Sequence, residues 1–261
     1  MTAGNPAQEI GGGGPACSKS ASGPSAQQED AAAQEALPPP SAEAVAEFGD
    51  ALAKARHYAE LLATDGVTRG LIGPRETARL WDRHLVNCAL VAEFVPERGE
   101  LVDIGSGAGL PGIVLALLRP SLHVVLLEPL LRRSVFLDEC VRELDLPNVT
   151  VIRARAEEKA AAGIRADVAT ARAVASLEKL VGWAAGLLRP EGELLAIKGQ
   201  SAAEELEAAR PALARLGVRS AEVLQAGDGR VVSATTIVRV VTGGHGREEH
   251  TGAQRSRRGV A

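Results

Sequence analysis

Aromatic side chains are nearly missing from this chain: two Trp, one Tyr and three Phe in 261 residues. That excludes a sheet that stacks nucleic-acid bases on exposed rings, and it leaves the interior to Leu, Val, Ile and Ala. Cysteine is equally scarce. Cys17, Cys88 and Cys140 stand far apart with no Cys-x-x-Cys spacing, which excludes a disulfide framework or a zinc site and predicts reduced thiols in the cytoplasm. Cys88 and Cys140 fall at apolar helical positions and read as small core residues. No run of about 18 apolar residues occurs, and no basic segment followed by an apolar stretch opens the chain, so neither a membrane span nor an export signal is expected. Positive charge is not in excess either. With 29 Lys and Arg against 33 Asp and Glu, the formal net charge is −4, so a polyanionic partner would have to meet a local basic patch.

What is present suits one large globular domain with additions: 46% of residues are hydrophobic and 24% charged. Residues 1–40, with Gly11 to Gly14, repeated Ala, Ser and Gln, and Pro38 to Pro40, read as a disordered leader. Residues 243–261 read as a disordered tail, whose Arg255, Arg257 and Arg258 could touch a polyanion. Residues 41–98 carry helices. Val45, Phe48, Leu52, Ala55, Ala59 and Leu62 recur every three or four positions, with Gly66 as a stop. A second helix is predicted from Arg75 to Phe94, started by Pro74 and ended before Pro96; Trp81 on it reads as core.

Residues 99–242 change character. Short aliphatic runs at 101–104, 124–127, 149–152, 168–171 and 194–197 alternate with helical stretches at 112–118, 131–144, 176–188 and 202–216. This alternation predicts an α/β, Rossmann-like, mostly parallel seven-stranded sheet. The last two strands, 219–224 and 233–241, follow without a helix between them and predict an antiparallel closing hairpin.

Gly105-Ser-Gly107-Ala-Gly109 follows the first strand and precedes a helix opened by Pro111, the setting of a nucleotide-binding loop. The dinucleotide pattern G-x-G-x-x-G fails because its third glycine position is Leu110. Instead Asp103 stands two residues before G-x-G-x-G. Glu128 ends the second strand, 23 residues after Gly105, where a carboxylate can accept hydrogen bonds from ribose hydroxyls; that distance suits either nucleotide class. Arg155 to Glu158 follow the third strand, where a base would lie; for Glu157 the alternative is a solvated helix start. Arg172 and Lys198 end adjacent strands and are predicted to face the ligand crevice, or else to be solvated strand-end charges. Arg132, Arg133, Arg153 and Arg155 could extend a basic track. His84 and Asn87 on the second helix could close over a substrate, or be structural.

The Asp103 motif resembles the first motif of class I S-adenosylmethionine-dependent methyltransferases. From about Arg69 to Val240 the chain resembles the RsmG (GidB) family of small-subunit rRNA methyltransferases. The resemblance rests on Arg83 to Cys88, Ile104 to Ile113, Leu127 to Arg133 with Phe136 and Leu137, Arg172 to Leu177, and Ala196 to Gln200, in that order. Arg69 to Glu76 with Leu80 to His84 looks like the actinobacterial branch. The resemblance implies transfer of a methyl group from S-adenosyl-L-methionine to N7 of a guanine in 16S rRNA. It further implies that Gly105 and Leu110 line the cofactor, that Ala156 and Glu157 contact its adenine, and that Arg172 borders its methionine end. The resemblance also pairs Arg230 with a basic residue that relatives carry before the last strand.

On this reading the catalytic positions are Arg172 and Lys198. The cofactor positions are Gly105, Leu110, Glu128, Ala156, Glu157 and Arg172. The expected partner is 16S rRNA or the small ribosomal subunit, for a monomer without metal. An exocyclic-amine enzyme would carry an Asn/Asp-Pro-Pro-aromatic motif where this chain has Arg172-Ala-Val-Ala175, and a cytosine-C5 enzyme would carry a cysteine after the fourth or fifth strand. Two alternatives stay open: a small-molecule methyltransferase on the same fold, and a noncatalytic module that only binds cofactor or ribosome.

Overall fold

The computed structural model describes Met1 and residues 37–158, 161–227, 229, 231 and 234–243. The sequence-based readings on the leader before residue 37, on Cys17, Arg230, Arg255, Arg257 and Arg258 lie outside the described residues. Everything described from Leu37 onward belongs to one compact unit, Glu35–Ala261.

Residues 37–40, which composition assigns to the leader, are packed. Leu37 lies against the core and the Pro38 carbonyl accepts a 3.0 Å hydrogen bond from Trp81 Nε1. A buried indole N–H needs an acceptor, and this segment provides it. Helix α1 (Ala42–Phe48) is capped by Ser41, whose hydroxyl accepts from the Ala44 N–H. A 3-10 turn (Gly49–Ala51) leads into α2 (Leu52–Leu61), then a π turn (Leu62–Gly66). Gly66 does not stop this helix as expected. Helical backbone continues to residue 68 and the chain reverses at Gly70, φ +65°. Gly66 is instead a packing position: its carbonyl takes the N–H groups of Leu71 and Ile72, and the Ile72 side chain would lie 3.7 Å from a Cβ there.

The predicted second helix follows a helical path over its expected length, but not as one α-helix. A 3-10 turn (Pro74–Arg79), a π segment (Leu80–Val86), the short α3 (Asn87–Ala89) and a second 3-10 turn (Leu90–Phe94) follow one another. The widened π segment buries Leu80, Trp81, Leu85 and Val86 while placing the Arg83 carbonyl and the His84 side chain at the end of β4, and such segments often mark functional positions.

The sheet then follows the predicted alternation. Its elements are β1 (Gly99–Ile104), α4 (Gly112–Leu118), β2 (Leu122–Leu127), α5 (Leu131–Glu143), β3 (Val149–Ile152), β4 (Ala166–Arg172), α6 (Leu177–Leu187), β5 (Leu188–Ile197), α7 (Ala202–Arg215), β6 (Val218–Ala226) and β7 (Thr235–Thr242). The strand order is β3-β2-β1-β4-β5-β7-β6, with β1 to β5 parallel and β7 antiparallel to both β5 and β6. The closing hairpin is present, with its second strand inserted next to β5.

Why the strands read as unbroken aliphatic runs is visible in the two cores. Leu101, Val124 and Leu126 face one side, against the N-terminal helices and Phe136. Val102, Ile104, Val125 and Leu127 face the other, with Leu177, Leu180 and Leu206. A strand's side chains alternate between faces, so covering both faces favours apolar residues at successive positions, with Asp103 and Thr170, hydrogen-bonded to each other, as buried polar exceptions. The N-terminal helices are part of this packing: Leu80, Leu85 and Leu90 share a core with Leu101 and Leu115.

Candidate functional site

Strand order reverses where β1 and β4 pair, since the chain runs outward to β3 on one side and to β5 on the other. Helices from the two sides diverge there and leave a crevice at the carboxyl ends of the strands. A cavity of about 540 Å³ lies at that place, lined by residues following β1, β2, β3 and β4 and by His84, Leu71 and Ile72 from the N-terminal segment. This is the size of a small-molecule site.

The loop after β1 forms its floor. The N–H groups of Gly105 and Ser106 donate to the Leu127 carbonyl at 2.8 and 3.1 Å, fixing the loop to the end of β2. Gly105 has φ +68°, and a Cβ there would come within 2.9 Å of Val174 Cγ1 from the β4 side. Only glycine suits both the backbone angle and the close approach. Asp103, two residues earlier, is buried beneath the loop. Its Oδ1 accepts from Thr170 Oγ1 at 2.9 Å and its Oδ2 from the Gly112 N–H at 3.2 Å, so it links β1, β4 and the start of α4. Burial pushes its carboxyl up to about 6, with the Thr170 and Gly112 hydrogen bonds opposing that rise.

Glu128 extends from β2 into the cavity wall. Its two oxygens accept from the Gly107 and Leu130 N–H groups, each at 2.9 Å, and Arg133 Nη1 stands 3.9 Å away. Each carboxylate oxygen has a second lone pair, so capacity remains for hydroxyl donors. Leu110, Ala156 and Glu157 also line the cavity, Glu157 exposed at its mouth. Gly105, Leu110, Glu128, Ala156, Glu157 and Arg172 are thus brought together around one space.

Lys198 is not. Its Nζ donates to Glu205 Oε1 at 2.8 Å and to the Ala175 carbonyl at 3.1 Å, and it is absent from the cavity lining. Glu205 Oε1 also accepts the Leu177 N–H at 2.7 Å. The expected strand-end cation is therefore committed to bracing the loop 173–176 from behind, because α7 places a carboxylate within reach. Of the proposed basic track, Arg133 and Arg155 line the cavity, whereas Arg132 and Arg153 are exposed outside it. Asn87 does not approach the cavity. It exchanges hydrogen bonds with Thr235, Nδ2 to Oγ1 at 2.6 Å and Oγ1 to the Asn87 carbonyl at 2.9 Å.

Residues missed by the sequence reading include Tyr58, Glu76 and Trp183. Trp183 lines the cavity from α6. Tyr58 Oη donates to the Ala108 carbonyl at 2.7 Å, joining α2 to the glycine loop. Glu76 contacts His84 at 2.9 Å. The signal for Tyr58 was its solitude: the one tyrosine of the chain lies beside an apolar helical stripe.

The model of a family described as rRNA small subunit methyltransferase G matches residues 51–232. Proteins named ribosomal RNA small subunit methyltransferase G from Thermobifida fusca and Streptomyces coelicolor are 60% and 55% identical to the chain. The alignments span 77% of this chain and 84% of the first relative, and 79% and 87% for the second. The chain belongs to the rRNA small subunit methyltransferase G family. As a member it is an S-adenosylmethionine-dependent rRNA methyltransferase. A crystal structure from Methanococcus maripaludis, described as an S-adenosylmethionine-dependent methyltransferase, shares the fold with TM-score 0.50 and 15% identity, over 70% of this chain and 92% of that one. Among the described residues no helix is long and apolar enough to cross a membrane.

Proposed function

We propose that the chain transfers the methyl group of S-adenosylmethionine to N7 of a guanine in 16S rRNA, and that the cavity at the β1–β4 reversal binds the donor. The residues fit such a group. Gly105, at φ +68° and packed against Val174, forms a cavity floor without a side chain, Glu128 offers lone pairs for the ribose hydroxyls, and Ala156 and Glu157 lie beyond β3 where the adenine would sit. The methionine end then lies toward Arg172 and Val174. When bound, the donor supplies an electrophilic methyl carbon on a sulfonium; the chain's residues orient it and exclude water.

The observation that carries the acceptor is the chemistry on the β4 side. Among the described residues lining the cavity, the carboxylates are Glu128 and Glu157, on the β2 and β3 sides, while β4 presents Arg172 beside His84. An acceptor that must lose a proton would need a free base there, and His84 has its Nδ1 lone pair on Arg172 and its Nε2 against Glu76. Guanine N7 has an exposed lone pair and no proton to lose: the N7–carbon bond forms as the carbon–sulfur bond breaks. Catalysis on this reading consists of alignment, worth several kcal/mol in comparable cases. Arg133 and Arg155 at the cavity and Arg132 and Arg153 outside it give phosphates a local basic surface on an acidic chain. The protein acts as a cytoplasmic monomer, residues 41–98 forming the N-terminal helices and 99–242 the methyltransferase domain, with Lys198 supporting the β4 loop.

The test is incubation of the purified protein with methyl-labelled S-adenosylmethionine and either naked 16S rRNA or 30S particles, followed by nucleoside analysis. Label in 7-methylguanosine is expected. Labelling of neither substrate would favour a noncatalytic module, and labelling of a different nucleoside would overturn the acceptor.

A further inference from the structure

Three side chains from three segments meet at the edge of the cavity. Glu76 Oε2 lies 2.9 Å from His84 Nε2, and His84 Nδ1 lies 3.0 Å from Arg172 Nη2. A guanidinium can only donate, so Nδ1 has to be the nitrogen with the lone pair. The ring proton is then on Nε2 and is donated to the Glu76 carboxylate. This contact pattern allows one form of His84, neutral and protonated at Nε2. The side chain is 14% exposed, and burial, with the charges of Arg172 and Arg83, holds it below the ordinary histidine range against the opposing pull of Glu76.

Arg172 depends on this arrangement. Its Nη2 also donates to the Arg83 carbonyl at 3.2 Å, and its Nη1 to Cys88 Sγ at 3.2 Å and the His84 carbonyl at 3.5 Å. All these acceptors belong to residues 83–88, whereas the backbone of Arg172 ends β4 and is followed by Ala173 at φ +55°. The sheet delivers the side chain and the N-terminal segment aims it.

We propose that Glu76 and His84 are positioning residues: Glu76 takes the Nε2 proton of His84 in a hydrogen bond, His84 holds the Arg172 guanidinium in place at the edge of the donor cavity, and protonation of His84 releases it. This deepens the reading that the cavity binds S-adenosylmethionine and rests on it. In protonated His84 both nitrogens carry hydrogen, so Nδ1 would present a donor and a positive charge to a guanidinium that is itself donor and cation. The groups facing the imidazole are Glu76 from the 3-10 turn, Arg83 from its own segment and Arg172 from β4. Arg79 and Arg83 in turn act on Glu76. Glu76 is the one anion in the set, and its loss makes His84 harder to protonate.

The experiment uses the full chain, nitrogen-15 histidine NMR, and calorimetry with S-adenosylhomocysteine between pH 5 and 8. NMR is expected to show His84 as the Nε2–H tautomer, and affinity in the wild type is expected to fall as pH drops through the His84 titration. His84→Ala should weaken binding about tenfold at pH 8, the scale of one hydrogen bond to a charged group, while retaining a cooperative thermal melt. His84→Asn places an acceptor oxygen near the Nδ1 position and cannot be protonated there; it should recover most of that loss and give a flat pH profile. Glu76→Gln should move the acid limb to lower pH. An Nδ1–H tautomer, or an acid limb unchanged in His84→Asn, would overturn the proposal. A wild type that binds no S-adenosylhomocysteine at any pH would overturn the cavity reading and the affinity claim together, while NMR would still decide the tautomer of His84.

Discussion

The hydroxyl of Tyr58 reaches 50 residues along the chain to donate to the Ala108 carbonyl at 2.7 Å, inside the glycine loop. A Cβ on Gly109, next in the loop, would stand 2.8 Å from the Tyr58 hydroxyl oxygen. The N-terminal helices therefore hold the loop from one side while the Leu127 carbonyl holds it from the other. Burial keeps the phenol proton in place by raising its pKa well above the ordinary value.

Tyr58→Phe removes the donor and leaves a buried carbonyl unsatisfied. A loss of about 1–3 kcal/mol is expected, together with weaker S-adenosylhomocysteine binding. Urea unfolding and calorimetry check both effects. An unchanged unfolding midpoint would show that the loop does not depend on this bond.

Gly105→Asp places a charged side chain against Val174 at a positive-φ position and is expected to abolish donor binding. Gly182, exposed on α6 where an added Cβ would meet nothing within 4 Å, is the contrasting case. Gly182→Ala should stabilise the protein by about 0.5–1 kcal/mol through helix propensity. Near-normal affinity in Gly105→Asp would contradict the placement of the donor.

Asp103 makes stability depend on pH. Its folded-state pKa of about 6 lies above the ordinary 3.8, so its contribution is fully present below the ordinary value and is lost as pH rises through about 6. The loss is at most on the order of 3 kcal/mol. Asp103→Asn keeps an acceptor for Gly112, and its amide can donate to the Thr170 hydroxyl. The melting temperature of the variant relative to wild type should rise between pH 4 and pH 7. A pH-independent difference would show that Asp103 carries no such penalty.

Lys198→Ala removes the brace on the loop 173–176 and leaves Glu205 with one donor fewer. Methyl transfer should fall more than S-adenosylhomocysteine affinity, because the residue supports the β4 side without lining the cavity. Parallel transfer assays and calorimetry measure the split. Equal losses in both would mean that Lys198 acts on the whole fold.

The strands, their helices and the glycine loop that lines the cavity were legible because local signals carried them: aliphatic runs covered on both faces, a glycine cluster after β1, and Glu128 at a fixed distance beyond it. Side-chain commitments formed across the fold were not legible. Lys198 sits at a strand end as expected, but Glu205 on the next helix takes its charge. Arg172 is bound by carbonyls and a thiol 84 to 89 residues away, and nothing local in either segment records that pairing. The π segment at Leu80–Val86 kept the apolar spacing of a helix, so periodicity predicted the path and missed the widened turn. The insertion of β7 between β5 and β6 likewise depends on pairing between strands, which a hairpin pattern alone does not set.

The most direct test of the account is nucleoside mass spectrometry of 16S rRNA from cells with and without this protein. The account predicts that one 7-methylguanosine disappears when the protein is absent, returns with the wild-type chain, and fails to return with Gly105→Asp. An unchanged 7-methylguanosine content in cells lacking the protein would contradict it.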